Sequence, residues 1–214
     1  MNVAKPTMPA ELTDINDLQQ HLDDAESLIG AKADNQDISF FEQPAVLFSD
    51  SSLERLDATS AKLERATISN IIISKSLLSG LNLSQSGLNR TTIIDSRCDG
   101  LQLQISKLKN VQFINCKLDM ANFRHCNLEN VIFEECSLKD TDYYGSTLKN
   151  VVFLRSEIDA TNFDSCKMSR TDFTRATIVS LKGLSGLKGA DVSAEQLIGL
   201  APYMAQELGI KYSD

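Results

Sequence analysis

The side chains that could do chemistry in this 214-residue chain are two histidines, five cysteines and a surplus of carboxylates, 29 Asp and Glu against 21 Lys and Arg. A metal-dependent hydrolase needs ligand pairs at helical or turn spacing, and a covalent mechanism needs a nucleophile beside its base. His21 and His125 stand far apart, and no HExxH, CxxC or GxSxG pattern occurs. Gly183, Gly186 and Gly189 suggest a phosphate-cradling loop, but the order GxxxxGK(S/T) is absent, so they read as a turn in a cap. The expectation is a protein that is not an enzyme, with no catalytic residues, no metal and no cofactor.

Composition narrows the class further. The longest run of large aliphatics is Ile71-Ile72-Ile73, far short of a membrane span, and the opening MNVAKPTMPAELTD lacks the apolar core of a secretory signal. Five cysteines without paired short spacings do not form a secreted disulfide framework. A cytoplasmic protein with no membrane association is expected. The charge is uneven: residues 1–50 hold ten acids and two bases, whereas residues 51–179 hold 16 bases and 15 acids. Acidity therefore belongs to the N-terminal segment.

What elements would position these residues? From Phe48 to Ile178 every fifth residue is apolar, all 27 positions, including Phe113, Leu118, Phe123, Leu128 and Phe133. At this composition the chance of such a run is on the order of 10⁻¹⁰, so the period is a true internal repeat. A second register two residues earlier holds mostly Ser, Thr, Ala, Cys and Val. Two inward residues flanking one outward residue make a short extended segment, after which the chain must turn. The repeat is closer at twenty: KNVQF (109–113), ENVIF (129–133) and KNVVF (149–153) recur, and Phe123, Tyr143 and Phe163 recur half a turn away. Four five-residue sides per coil stack like on like, with coils about 4.8 Å apart and nearly seven of them from this register. In this geometry Cys116 and Cys136 stack as buried small residues with inert thiols, and Cys126 and Cys166 do so two coils apart. Asn110, Asn130 and Asn150 share one corner as an amide ladder.

The segments Ala121-Asn122-Phe123, Thr141-Asp142-Tyr143, Thr161-Asn162-Phe163 and Thr171-Asp172-Phe173 resemble the A(D/N)LXX unit of pentapeptide-repeat proteins. The resemblance covers about 130 residues and implies an all-β solenoid, a right-handed quadrilateral parallel β-helix. It also implies two kinds of role. One is a non-catalytic protein-interaction scaffold. The other is a DNA-mimicking modulator or protector of bacterial DNA gyrase or topoisomerase IV, conferring quinolone or toxin resistance, for which the near-neutral solenoid and the absence of interrupting loops are poor matches.

A stack needs lids. Leu12, Ile15, Leu18, Leu22, Ala25 and Ile29 fall at helical spacing, predicting an amphipathic helix that leads through Ile38, Phe40 and Phe41 into the first coil. Whether it caps the solenoid or detaches to bind a partner stays open. Ser193 and Gln196 form a capping box for a second helix that Gly209 stops and Pro202 should kink or restart. The expected organisation is an acidic helical segment over 1–45, the β-helix over 46–180 and a C-terminal cap over 181–214. Leu197, Ile198, Leu200, Met204 and Leu208 would give the last helix an apolar face, and the resemblance implies a homodimer through it.

On the solenoid, Ile72, Ile94, Ile114, Ile132, Val152 and Leu154 flank inward residues of one wall and would form an exposed aliphatic stripe. The chain's own N-terminal segment, a second subunit or another protein could cover it. Lys107, Lys109, Lys149 and Lys167 share another wall, but without an aromatic platform direct nucleic-acid binding is not expected.

Overall fold

The computed structural model describes residues 3–211 and is a parallel β-solenoid of square section. Six eight-residue strands, Leu47–Glu54, Thr67–Ser74, Gly87–Ile94, Lys107–Ile114, Asn127–Glu134 and Thr147–Leu154, pair in parallel at a constant offset of twenty. Each bends at its centre, where Asp50, Asn70, Arg90, Asn110, Asn130 and Asn150 adopt positive φ, so one strand supplies two sides of the square. The remaining two sides are shorter, joined by isolated bridges such as Asn82↔Gln102 and Gln102↔Asn122.

Every fifth residue from Gly30 to Arg170 is left-handed, and that is how the chain turns four times per coil. This conformation suits Gly, Asn and Asp but costs other residues on the order of 1–2 kcal/mol. Ile105 nevertheless adopts it, with φ of 62°. The corners persist because each corner amide is bonded to the next coil, as in Arg55 N to Ser74 O at 3.0 Å and Asn115 N to Glu134 O at 2.8 Å.

Inside, the two registers behave as their sizes require. Phe113, Phe133, Phe153 and Phe173 stack with ring centroids 5.2, 5.1 and 4.6 Å apart, and Phe123, Tyr143 and Phe163 stack at 4.8 and 5.2 Å. The two columns meet edge to face, Phe123 to Phe133 at 5.7 Å. Small residues lie against backbone: Ser76 Oγ donates to Ser74 O at 2.8 Å and accepts the amide of Leu56 in the preceding coil at 3.0 Å.

The solenoid starts earlier than the sequence register does. Ser27–Ile29 and Ala31–Asp34 already occupy a coil, pairing with Leu47–Glu54, and Leu28, Ala33 and Ile38 point inward. Polar Gln43 at the next inward position interrupts the apolar run, which is why coil geometry precedes the expected boundary at 46. The expected helix is correspondingly short. Helix α1 covers only Leu18–Ala25, capped by Asp17, whose carboxylate accepts the amide of Gln20 at 2.9 Å. Leu18 and Leu22 are buried in the core end, whereas Ile15 lies in a strand (Thr13–Ile15) paired with Ala31–Ala33 and Ile29 is 57% exposed. Of the residues expected to connect the helix to the first coil, Ile38 and Phe41 are buried, whereas Phe40 sits at a corner and is 70% exposed.

At the other end Leu181–Lys182 and Ala190–Asp191 add short strands, and Gly186 passes so close to Phe163 O that a Cβ would lie 1.9 Å from it. Helix α2 covers Ala194–Glu207. Its capping box forms, with Ser193 Oγ accepting from Gln196 N at 3.2 Å and Gln196 Oε1 accepting from Ser193 N at 2.8 Å. Gln196 Nε2 also closes the last coil by donating to Phe173 O and Ala176 O, at 2.7 and 2.8 Å. The helix does not restart at Pro202 but runs through it. The carbonyl left unpaired is that of Ile198, a residue 76% exposed, where water can replace the lost bond. Gly209 ends it in the left-handed region.

Candidate interaction surfaces

Among the described residues no group of three His, Cys, Asp or Glu is placed to hold a metal ion, and no helix is long and apolar enough to cross a membrane. Cys116 and Cys136 stack in adjacent coils, 3% and 2% exposed, and their thiols donate to the carbonyls of Ile114 and Phe113 at 3.3 and 3.4 Å. Hydrogen bonds with Cys136 and Cys98 pull the Cys116 thiol down, and the same bonds, and then burial, push the Cys98 and Cys136 thiols up. Burial pushes Cys126 up to about 12, and burial together with the nearby Asp142 and Asp164 carboxylates pushes Cys166 up to about 11. Thiols so raised are protonated at neutral pH and poor nucleophiles.

The six aliphatics do share one wall, but not as an exposed stripe. Strand pairing sorts them into two columns, Ser52–Ile72–Thr92–Gln112–Ile132–Val152 and Glu54–Ser74–Ile94–Ile114–Glu134–Leu154. Thr92, Gln112 and Glu134 interrupt the apolar surface, and Ile72, Ile94, Ile114, Ile132, Val152 and Leu154 are all half-buried. An outward side chain in a stacked sheet is screened by neighbours less than 5 Å above and below, so periodicity alone overstates its exposure.

The N-terminal segment is tied to the edge of this wall. Thr7 N donates to Asn70 Oδ1 at 2.6 Å, and Asn70 Nδ2 donates to Thr7 O at 2.7 Å. Val3 is buried and lies outside the interior cluster. Replacing Asn70 with Ala removes both bonds to Thr7, and the expected result is limited-proteolysis cleavage within the first twelve residues at least several-fold faster than wild type. Unchanged cleavage would show that the two bonds do not hold the segment.

Helix α2 has the larger exposed apolar surface. Leu197, Ile198, Met204 and Leu208 are 45%, 76%, 39% and 75% exposed, whereas Leu200 turns inward at 2% and anchors the helix to the core. Leu200 is thus unavailable to a partner. Two further contacts hold the helix along the end of the rod: Glu207 Oε2 accepts from Leu184 N at 3.1 Å and Tyr203 Oη donates to Val179 O at 3.4 Å.

The lysine wall is as expected in placement. Lys107 and Lys167 fall in one column with Asn127 and Thr147, and Lys109 and Lys149 fall in the next with Glu129 between them. Its edge carries the asparagine ladder, Asn130 Nδ2 donating to Asn110 Oδ1 at 3.2 Å and Asn150 Nδ2 to Asn130 Oδ1 at 2.6 Å. The sequence reading overlooked that Arg90 and Arg170 continue this ladder at either end. Their signal was the twenty-residue spacing itself.

A square parallel solenoid with plugged ends and flat outer walls defines the chain as a repeat protein of the β-helix type. Residues 102–163 match the sequence model of a family described as pentapeptide repeat region. No curated protein matches the sequence. Among solved structures, a trypsin-treated form of QnrB1, a plasmid-mediated fluoroquinolone resistance protein, is similar at 16% identity and a TM-score of 0.47, covering 96% of this chain and 99% of that one. The pentapeptide repeat protein Rfr23 from the cyanobacterium Cyanothece 51142 is similar at 14% identity and a TM-score of 0.34, covering 71% and 94%. HetL, a pentapeptide repeat protein involved in heterocyst differentiation regulation in Nostoc sp. strain PCC 7120, is similar at 18% identity and a TM-score of 0.24, covering 88% and 92%.

Proposed function

We propose that the protein is a non-catalytic interaction scaffold that assembles as a homodimer through α2 and presents its walls to another protein. The observation that carries this reading is the row of exposed apolar side chains on α2 beside a rigid rod. Leu197, Met204 and Leu208 align on one face, with Ile198 about 100° round the helix, and exposed apolar side chains on an ordered helix are a common mark of a protein interface. A DNA-mimicking role at gyrase or topoisomerase is the second reading from the sequence, and the charge distribution speaks against it. Such a mimic needs a continuous anionic surface. Here many of the outward acids stand in ladders against cations one coil away, as in Lys75–Glu54 at 2.9 Å, Lys139–Glu157 at 3.0 Å and Arg155–Glu135 at 2.9 Å.

Size-exclusion chromatography with light scattering tests the dimer. Wild type is expected to run at twice the chain mass at micromolar concentration, and Ile198→Asp with Leu208→Asp to run as a monomer with unchanged circular dichroism. Both residues are outward-facing, so the variant should lose association by about a hundredfold or more without unfolding. A monomeric wild type would overturn the α2 interface.

A further inference from the structure

Most cations of the solenoid are spoken for. Along the stacked strands, from Leu47 to Asp172, each Lys or Arg on three of the four walls, from Arg55 to Arg155, stands within ion-pair distance of a carboxylate on its own or a neighbouring coil. The exceptions are grouped. Among the described residues, Arg65, Arg90, Lys107, Lys167 and Arg170 make no ion pair and no side-chain hydrogen bond, and all five lie on the lysine wall or the two corners that border it. All five are exposed. The wall holds one carboxylate, Glu129, already shared between Lys149 at 3.1 Å and Lys109 at 3.8 Å, and the corner column of Arg90 and Arg170 adds Asp50, which accepts from Ser49 and Asn70. An excess of unpaired positive charge therefore sits on one face of a chain whose formal net charge is −8.

We propose that this wall is the docking face for an extended acidic segment of a partner protein, an inference that rests on the scaffold reading and adds the chemistry of what the scaffold holds. Arg90 and Arg170 are four coils apart, a span of about 19 Å at the spacing of parallel strands. An extended peptide covers that length with about six residues, so a run of Asp or Glu along the rod axis meets the wall's cations at nearly matched number. Duplex nucleic acid would place about eleven charges on the same length, since it carries one per 1.7 Å. It would also overhang a side only three extended residues wide and approach the carboxylates of the adjoining walls within about a Debye length of 8 Å. The wall itself carries no outward aromatic side chain, and at its border His125 is engaged edge to face with Tyr144 at 5.5 Å. Charge number and wall width together select a narrow acidic polypeptide. Because the strands are stacked and hydrogen-bonded on every coil, the backbone positions of the cations form fixed rows, and only their side chains need ordering on binding.

Fluorescence anisotropy with a labelled peptide of about six glutamates flanked by Gly-Ser tests this, using the full chain at about 50 mM and about 500 mM salt. Binding is expected at low salt and is expected to weaken at least about tenfold at high salt. Lys107→Glu with Lys167→Glu should lower affinity about tenfold or more, whereas Lys62→Glu with Lys139→Glu, an equal change of net charge on other walls, should stay within about twofold. Equal losses in the two variants would mean that only net charge matters and would overturn the assignment, as would no binding at low salt. Tighter binding of a duplex oligonucleotide of matched length would overturn the choice of partner. Lys107→Gln with Lys167→Gln removes charge without reversal and serves if the first variant folds poorly. The α2 variant should bind the peptide as wild type does, so failure of the dimer and failure of this face are read separately.

Discussion

Replacing Phe133 with Ala is expected to lower the unfolding free energy by about 3–5 kcal/mol. Its ring is fully buried, stacked on Phe113 at 5.2 Å and Phe153 at 5.1 Å, with Phe123 and Tyr143 edge-on at 5.7 and 6.1 Å. Four aromatic neighbours lose a partner at once. The cavity cannot close, because the coils above and below are held at strand spacing by hydrogen bonds around the circumference. In a stack of near-neighbour coils the damage should also be local, so the coils around residues 113–153 should lose hydrogen-exchange protection first. Guanidinium unfolding measures the total, with Phe40→Ala as control. Phe40 is 70% exposed, and its truncation should fall within about 0.5 kcal/mol of wild type. A loss at Phe133 no greater than the control would mean that the ring column does not stabilise the rod.

Tyr143→Phe is expected to act in the opposite direction, raising stability by about 1–3 kcal/mol. Tyr143 is the one tyrosine in a column otherwise filled by Phe123 and Phe163, and its buried hydroxyl has no hydrogen-bond partner. Deleting the oxygen keeps the ring and both stacks while removing a desolvated, unpaired dipole. At about 2–4 °C per kcal/mol for a chain of this size, the gain is visible as a melting shift. The pH dependence carries the same sign. Burial holds the phenol well above its ordinary range, so the folded state keeps the proton and the unfolded state releases it at about pH 10. Stability linked to Tyr143 is complete below that pH and is lost as pH rises past it. The difference between Phe variant and wild type should therefore widen above about pH 10. A variant less stable than wild type would reveal that the hydroxyl has a partner, most simply a buried water.

The interior was legible because its signal is local and repeats. One large and one small inward residue per five determine the side length, and the return of Phe at twenty determines four sides. The same reading lost the first coil at Gln43, since a single polar residue at an inward position ends an apolar register while the backbone, turning at Gly30, Asn35, Phe40 and Ala45, continues it. It also extended α1 in both directions. Helical spacing of Ile15 and Ile29 was outcompeted by parallel pairing with strands eighteen and twenty residues away, a choice made by neighbours and not by the segment itself.

The surfaces were legible only in placement. Twenty-residue arithmetic put the six aliphatics on one wall and the four lysines on another, but whether an outward side chain is covered, paired or free depends on what stands one coil above and below it. That arithmetic does not price the half-burial of Ile114 between Ile94 and Glu134, nor the separation of paired Lys149 from unpaired Lys167. Nor does any period connect Thr7 with Asn70 across 63 residues. The sequence by itself determined the square section, the ring columns and the capping signals, because each follows from a short pattern acting on its own backbone. Tertiary structure alone decided where the coil begins, which cations are left without partners and which face of α2 remains open, because those properties belong to contacts between segments that no single segment encodes.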